Sequence, residues 1–170
     1  MRFDIFGPFQ LIGDGVCRLA ANQDDFWEEV EVQSEGLGAA KGCYVFGIGT
    51  SGSNKIKPWY VGKTHRSFYV ECITPSKWKH YSVALSKYQR AKPYLFFLPV
   101  ITETGKFAKG NERSIDFLEK YLIGLGIRVN KELCNIKDAQ IYRDIEVPGI
   151  INRSTDNLKD RVALRKAFEL

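Results

Sequence analysis

The chain has 170 residues, of which 44% are hydrophobic and 13% aromatic, and it carries a net charge of +5. That length suits one domain with a sizeable core, and the composition excludes a disordered or fibrous chain. No window reaches the roughly 18 apolar residues of a membrane span. Asp4, Gly7-Pro8 and Asp14 break any signal-like stretch, so a cytoplasmic protein without membrane contact is expected.

In chain order, residues 8–13 read as a short strand and Asp24 to Val32 as an acidic helix bearing Trp27. A Gly/Ala-rich loop leads to Gly42. Cys43 to Ile48 then has the aromatic and β-branched character of a buried strand, and Trp59 to Gly62 forms the next. The polar, breaker-rich stretch between them predicts an antiparallel hairpin. A helix is expected over 67–73 and another over 77–90, with Ser76 as its N-cap. Tyr94 to Ile101 is a near-continuous apolar run, as a central strand requires. Asn111 can cap a long helix over 112–125, whose Ile115, Leu118, Leu122 and Ile123 share a face and which Gly124 and Gly126 should end. Residues 141–151 are irregular or a short strand around Pro148-Gly149. A terminal helix over 156–168 would dock Leu158, Val162 and Phe168 on the core.

Charge is unevenly distributed. Residues 1–40 carry two arginines against eight acids, a balance of −6, whereas residues 55–113 carry twelve Lys or Arg against three acids, a balance of +9. A basic block of that kind suits a polyanion, because phosphate neutralisation dominates nucleic-acid affinity; ordinary solvated lysines would give the same sum. The acidic N-terminal segment could shield that face or dock a protein partner. Cys17, Cys43, Cys72 and Cys134 are scattered without a C-x-x-C pair, and His65 and His80 are the only histidines, so reduced thiols are expected rather than a zinc site. Gly47-Ile48-Gly49-Thr50-Ser51-Gly52 matches a dinucleotide-binding glycine pattern, with Glu71 near the place of a ribose-binding acid. A second strand begins too soon after it for the helix that receives a pyrophosphate.

Several elements recur in a telling order: Gly42-Cys43-Tyr44, then Tyr60-Val61-Gly62 followed by Lys63-Thr64, then Glu119 within Leu118-Glu119-Lys120-Tyr121-Leu122-Ile123, and finally Asn130 and Asn135. This series resembles the GIY-YIG nuclease superfamily, with Cys in place of the Ile of the first motif. Pro58, Phe68 to Thr74, Lys77 and Pro148 to Arg153 add a likeness to a bacterial branch of it. The resemblance runs from about residue 42 to the C-terminus. It implies a small central, mostly antiparallel three-stranded sheet flanked by helices. The core would span 42–138, with an acidic N-terminal extension over 1–41 and a C-terminal extension over 139–170.

The resemblance also implies hydrolysis of DNA with one divalent metal, Mg²⁺ or Mn²⁺, held by Glu119, with Tyr44 and Tyr60 flanking the scissile phosphate. A free phenol has a pKa near 10, so a phenolic base needs a cation beside it. A lone carboxylate suits magnesium, which keeps most of its waters. The family's arginine, expected about two turns after the second motif, is displaced here: Val70 and Glu71 stand there, and Arg66 lies nearer. Arg66 is the candidate for that role, and Lys63, His65, Lys77, Lys79 and Asn135 are candidate substrate contacts. Two readings follow, a metal-dependent endonuclease and a module of the same fold that binds nucleic acid or a protein partner without turnover. Residue by residue, the tyrosines could equally be core aromatics, the asparagines caps or turns, and Glu119 the partner of Lys63 or Arg66.

Overall fold

The computed structural model describes residues 1–11, 23–49, 55–88, 91–135, 140, 142–148, 152–153 and 158–167. The fold is mixed α/β, an open and mostly antiparallel sheet with helices on both faces. Two short N-terminal strands, β1 (Arg2–Phe3) and β2 (Phe6–Gln10), precede helix α1 (Gln23–Gln33). The hairpin strands β3 (Gly42–Gly49) and β4 (Ile56–Thr64) follow, then α2 (Phe68–Glu71), α3 (Pro75–Ser86), strand β5 (Lys92–Ile101) and the long helix α4 (Glu112–Val129). A short parallel pair, β6 (Val147–Pro148) and β7 (Asn152–Arg153), leads to α5 (Lys159–Ala167).

The main sheet has five strands among the described residues, where three were expected. β5 lies in its middle, with β3 along one side, and β2 and β1 along the other. The N-terminal residues therefore build the sheet itself. Phe6 stands opposite Phe97 and Arg2 opposite Ile101, pairings across some ninety residues that leave no local trace in sequence.

Alternation along the strands sorts side chains to two cores. On one face Tyr44, Phe46 and Ile48 of β3, Tyr60 of β4 and Leu95 and Phe97 of β5 pack with Phe26, Trp27 and Val30 of α1, Phe68 of α2 and Trp78 and Tyr81 of α3. On the other face Cys43, Leu98 and Val100 meet Ile115 of α4, and Val61 meets Ile123 and Ile127. Burial on both faces explains why β3 and β5 read as continuous apolar runs. The antiparallel pairing of β3 with β4 bears out the hairpin.

Two helix boundaries differ from expectation. α3 begins at Pro75, a residue pre-set for the first helical position, so Thr74 and not Ser76 holds the N-cap place. α4 runs through Gly124 and Gly126 to Val129, and at each glycine a neighbouring side chain, Tyr142 and Leu133 respectively, packs close to the helix. Leu158 is 56% exposed and so does not dock on the core; Phe168 and Cys17 lie outside the described residues. Cys43, Cys72 and Cys134 are free thiols, as expected. Among the described residues, no helix is long and apolar enough to cross a membrane.

Candidate functional site

β4 carries the polar features. Its outer edge is closed by residues 130–135. Asn130 donates from Nδ2 to the Pro58 carbonyl at 2.8 Å, and the Cys134 amide donates to the Trp59 carbonyl at 2.8 Å. Asn135 accepts from the Val61 amide at 2.9 Å and donates to the Val61 carbonyl at 2.6 Å, so its side chain acts as one more residue of strand. Both ends of the Asn135 amide are thus engaged with backbone at the edge of the sheet.

The two motif tyrosines do come together, with ring centroids 6.2 Å apart. Register explains it: Tyr44 stands opposite Gly62 and Phe46 opposite Tyr60, so all four share one face. The register shifts only beyond this pair, between Phe46 and Gly47. Gly62 is required there because a Cβ would lie 2.7 Å from Cε1 of Tyr44 and nearer still to its Cζ and hydroxyl. Tyr44 is fully buried, and its hydroxyl has no hydrogen-bond partner among the described residues. Burial pushes its phenol far above the ordinary range, with Cys72, Tyr81, Tyr60 and Glu71 adding to the effect. Tyr60 reaches the rim. Its hydroxyl accepts from Lys77 Nζ at 2.8 Å, and its ring stacks on His80 with centroids 5.0 Å apart. Burial works against the Lys77 ammonium, but Tyr60 and the charge of Glu71 outweigh it and raise its pKa. Glu71 lies 3.6 Å from both Lys77 and Arg66, whose side chain is 73% exposed. Lys79 is exposed on the same helix as Lys77.

Glu119 is elsewhere. It projects from α4, on the Cys43 face of the sheet, opposite the tyrosines. Lys63 Nζ lies 2.8 Å from its carboxylate and 2.9 Å from that of Asp116, and Asp116 also meets His65 at 2.9 Å. Burial opposes the Lys63 ammonium, yet hydrogen bonds to Glu119 and Asp116 raise its pKa above the usual lysine value; the bond from Lys63 in turn lowers that of Asp116. On the same face Cys43 donates to the Ile115 carbonyl, and burial with the Glu119 charge beside it pushes its thiol up to about 12. Glu119 is paired with Lys63, whereas Tyr60 and Arg66 are linked through Lys77 and Glu71. They are distributed along a band that turns over the end of β4: Glu119, Lys63, Asp116 and His65 on one side, then Arg66, Glu71, Lys77 and Tyr60 on the other.

The donor set was tested against the divalent metal that the resemblance implies. The ammonium of Lys63 sits between the two carboxylates that a cation would use. Among the described residues no group of three or more His, Cys, Asp or Glu side chains is disposed to hold a metal ion. A magnesium ion held by Glu119 alone, as the resemblance implies, would have to displace the Lys63 ammonium from that carboxylate. Sequence reasoning missed Asp116 and assigned Glu71 no role. The Asp116-x-x-Glu119 spacing puts two acids on one helix line and was the available signal.

Comparison with protein-family models, with curated proteins and with solved structures gives no significant match to this chain.

The stacked His80 yields a pH prediction. Burial lowers its pKa, and the charges of Lys77 and Lys79 lower it further. Below the ordinary histidine value of about 6.5 the unfolded chain binds a proton that the folded chain resists, so stability falls as pH drops through that value and levels off once the folded imidazole also protonates. Urea melts at pH 7.5 and 5.5 should show this loss, and His80→Phe should remove it. A wild-type loss of the same size in His80→Phe would reject His80 as its source.

Proposed function

We propose that this chain is a GIY-YIG-like module that binds nucleic acid through its phosphodiester backbone without turning it over. The observation that carries this reading is the separation of Glu119, held by Lys63, from the tyrosine face. The Tyr60 side of the band has the chemistry of a phosphate contact: Lys77 ends on a phenol at the rim, Arg66 extends into solvent, and Lys79 follows Lys77. Arginine and lysine both serve as phosphate donors, arginine with the better bidentate geometry. Tyr44 is fully buried, and burial raises its phenol pKa, which disfavours it as a base.

One observation favours the endonuclease reading. The Lys77 ammonium on the Tyr60 hydroxyl is the cation a phenolic base requires.

A single experiment separates the two. Supercoiled plasmid is incubated with Mg²⁺ or Mn²⁺ and either the wild type or Glu119→Ala, while binding of a labelled DNA duplex is followed against salt. The proposed module leaves the plasmid intact and binds DNA with an affinity that falls steeply with salt. Arg66→Ala/Lys77→Ala should lower that affinity about tenfold, about 1.4 kcal/mol, and flatten the salt dependence by about two phosphate contacts. Cleavage by the wild type that is lost in Glu119→Ala would establish the endonuclease instead. Absence of any DNA binding would reject both.

A further inference from the structure

The outward half of α4 presents large apolar side chains and positive charge with no acid among them. Phe117 is 70% exposed and Tyr121 54%, and their rings lie within 12° of parallel with centroids 6.4 Å apart. One turn on, Gly124 leaves room for the ring of Tyr142, which a Cβ would meet at 2.9 Å from Cε1. Arg113, Lys120 and Arg128, all exposed, lie on this side of the helix and make no ion pair among the described residues, while Tyr142 is half-buried. The acids of the helix, Glu112, Asp116 and Glu119, follow one another along a different line, where Asp116 and Glu119 are bound by Lys63. Nothing in the local fold requires two exposed aromatic rings on this surface.

We infer that the outer face of α4 is a binding surface for single-stranded nucleic acid, with Phe117 and Tyr121 stacking on unpaired bases and Arg113, Lys120 and Arg128 meeting the backbone. Charge complementarity selects a polyanion. The rings select single strands, because a base stacks on a protein aromatic only when its own face is free, whereas duplex bases already cover one another. The inference shares with the proposed function only the premise that the chain binds nucleic acid, and it uses none of the same side chains.

The test is fluorescence polarisation of a labelled oligo(dT) of about 20 nucleotides, with a duplex of equal length beside it. Phe117→Ala/Tyr121→Ala should weaken oligo(dT) binding about tenfold or more and leave duplex binding nearly unchanged. Phe117→Leu/Tyr121→Leu, which keeps apolar bulk but no aromatic face, should weaken it to a similar degree, so a folding defect in the alanine variant does not obscure the result. Arg113→Gln/Lys120→Gln/Arg128→Gln should reduce the slope of log affinity against log salt by about 2. Oligo(dT) binding that survives both aromatic variants overturns the inference, as does failure of the wild type to bind oligo(dT). Sedimentation as a dimer that the aromatic variants dissociate, with oligo(dT) binding unaltered, would assign the face to a second copy instead. Loss in Arg66→Ala/Lys77→Ala alone would uphold the band and reject this face; loss in the α4 variants alone would do the reverse.

Discussion

Gly62→Ala should lower stability by about 3 kcal/mol, and most of that loss should vanish when Tyr44 is shortened in the same chain. The reason is steric. The added methyl would enter the Tyr44 ring, which is fully buried between β4 and the α2–α3 layer and cannot swing aside. Tyr44→Leu alone leaves a void and costs a few kcal/mol on its own account. The double variant should be better than the sum of the two by about 2 kcal/mol, because leucine frees the volume the methyl needs. Additive losses in a double-mutant cycle would mean that the two motifs do not touch in this way.

Tyr44→Phe completes the test by keeping the ring and deleting only a hydroxyl without a partner among the described residues. An unsatisfied buried hydroxyl costs about 1–3 kcal/mol, so this variant should melt no lower than the wild type and is expected to melt slightly higher. A clear loss of stability would show that the hydroxyl has a partner.

The second large effect lies at the edge of β4. Asn135→Leu removes two hydrogen bonds at once and leaves the amide and carbonyl of buried Val61 unpaired. Two lost bonds at about 1 kcal/mol each, with part of the desolvation penalty of the two orphaned groups, give an expected loss of about 3 kcal/mol. Asn135→Asp is the sharper variant. It preserves volume and the acceptor for the Val61 amide but turns a donor facing the Val61 carbonyl into a second acceptor, and it should be at least as damaging. Urea denaturation with an unchanged m-value would measure both. A loss below 1 kcal/mol in Asn135→Asp would show that the side chain does not pair with the strand.

The elements themselves were largely legible. The apolar runs of β3 and β5 and the helical spacing of Ile115, Leu118, Leu122 and Ile123 reflect burial directly, and burial is what sequence patterns record. The tyrosine pair was legible too, because a hairpin fixes which residues face one another. The position of Glu119 was not. Its helix could pack on either face of the sheet, and only long-range packing decides which; α4 takes the Cys43 face and carries Glu119 away from Tyr44. The competing account of Glu119 as a partner of Lys63 matches the geometry. Asn130 and Asn135 read as caps or turns, and Asn135 also as a substrate contact. Asn130 is the C-cap of α4 and accepts from the Glu132 amide in a turn, while its donor and the Asn135 amide pair with backbone along the edge of β4.

The middle position of β5 bears on how the chain reaches this fold. β1 and β2 precede the strand they pair with by about ninety residues, so their pairing cannot form until β5 has been made. Once β5 emerges, its two edges are claimed by strands that both precede it, β3 on one side and the far earlier β1 and β2 on the other. A shortened version beginning at the first tyrosine motif would contain every motif residue and still be a poor protein. Its most apolar strand would have one bare edge along ten residues, an open template for the same strand of a neighbouring molecule.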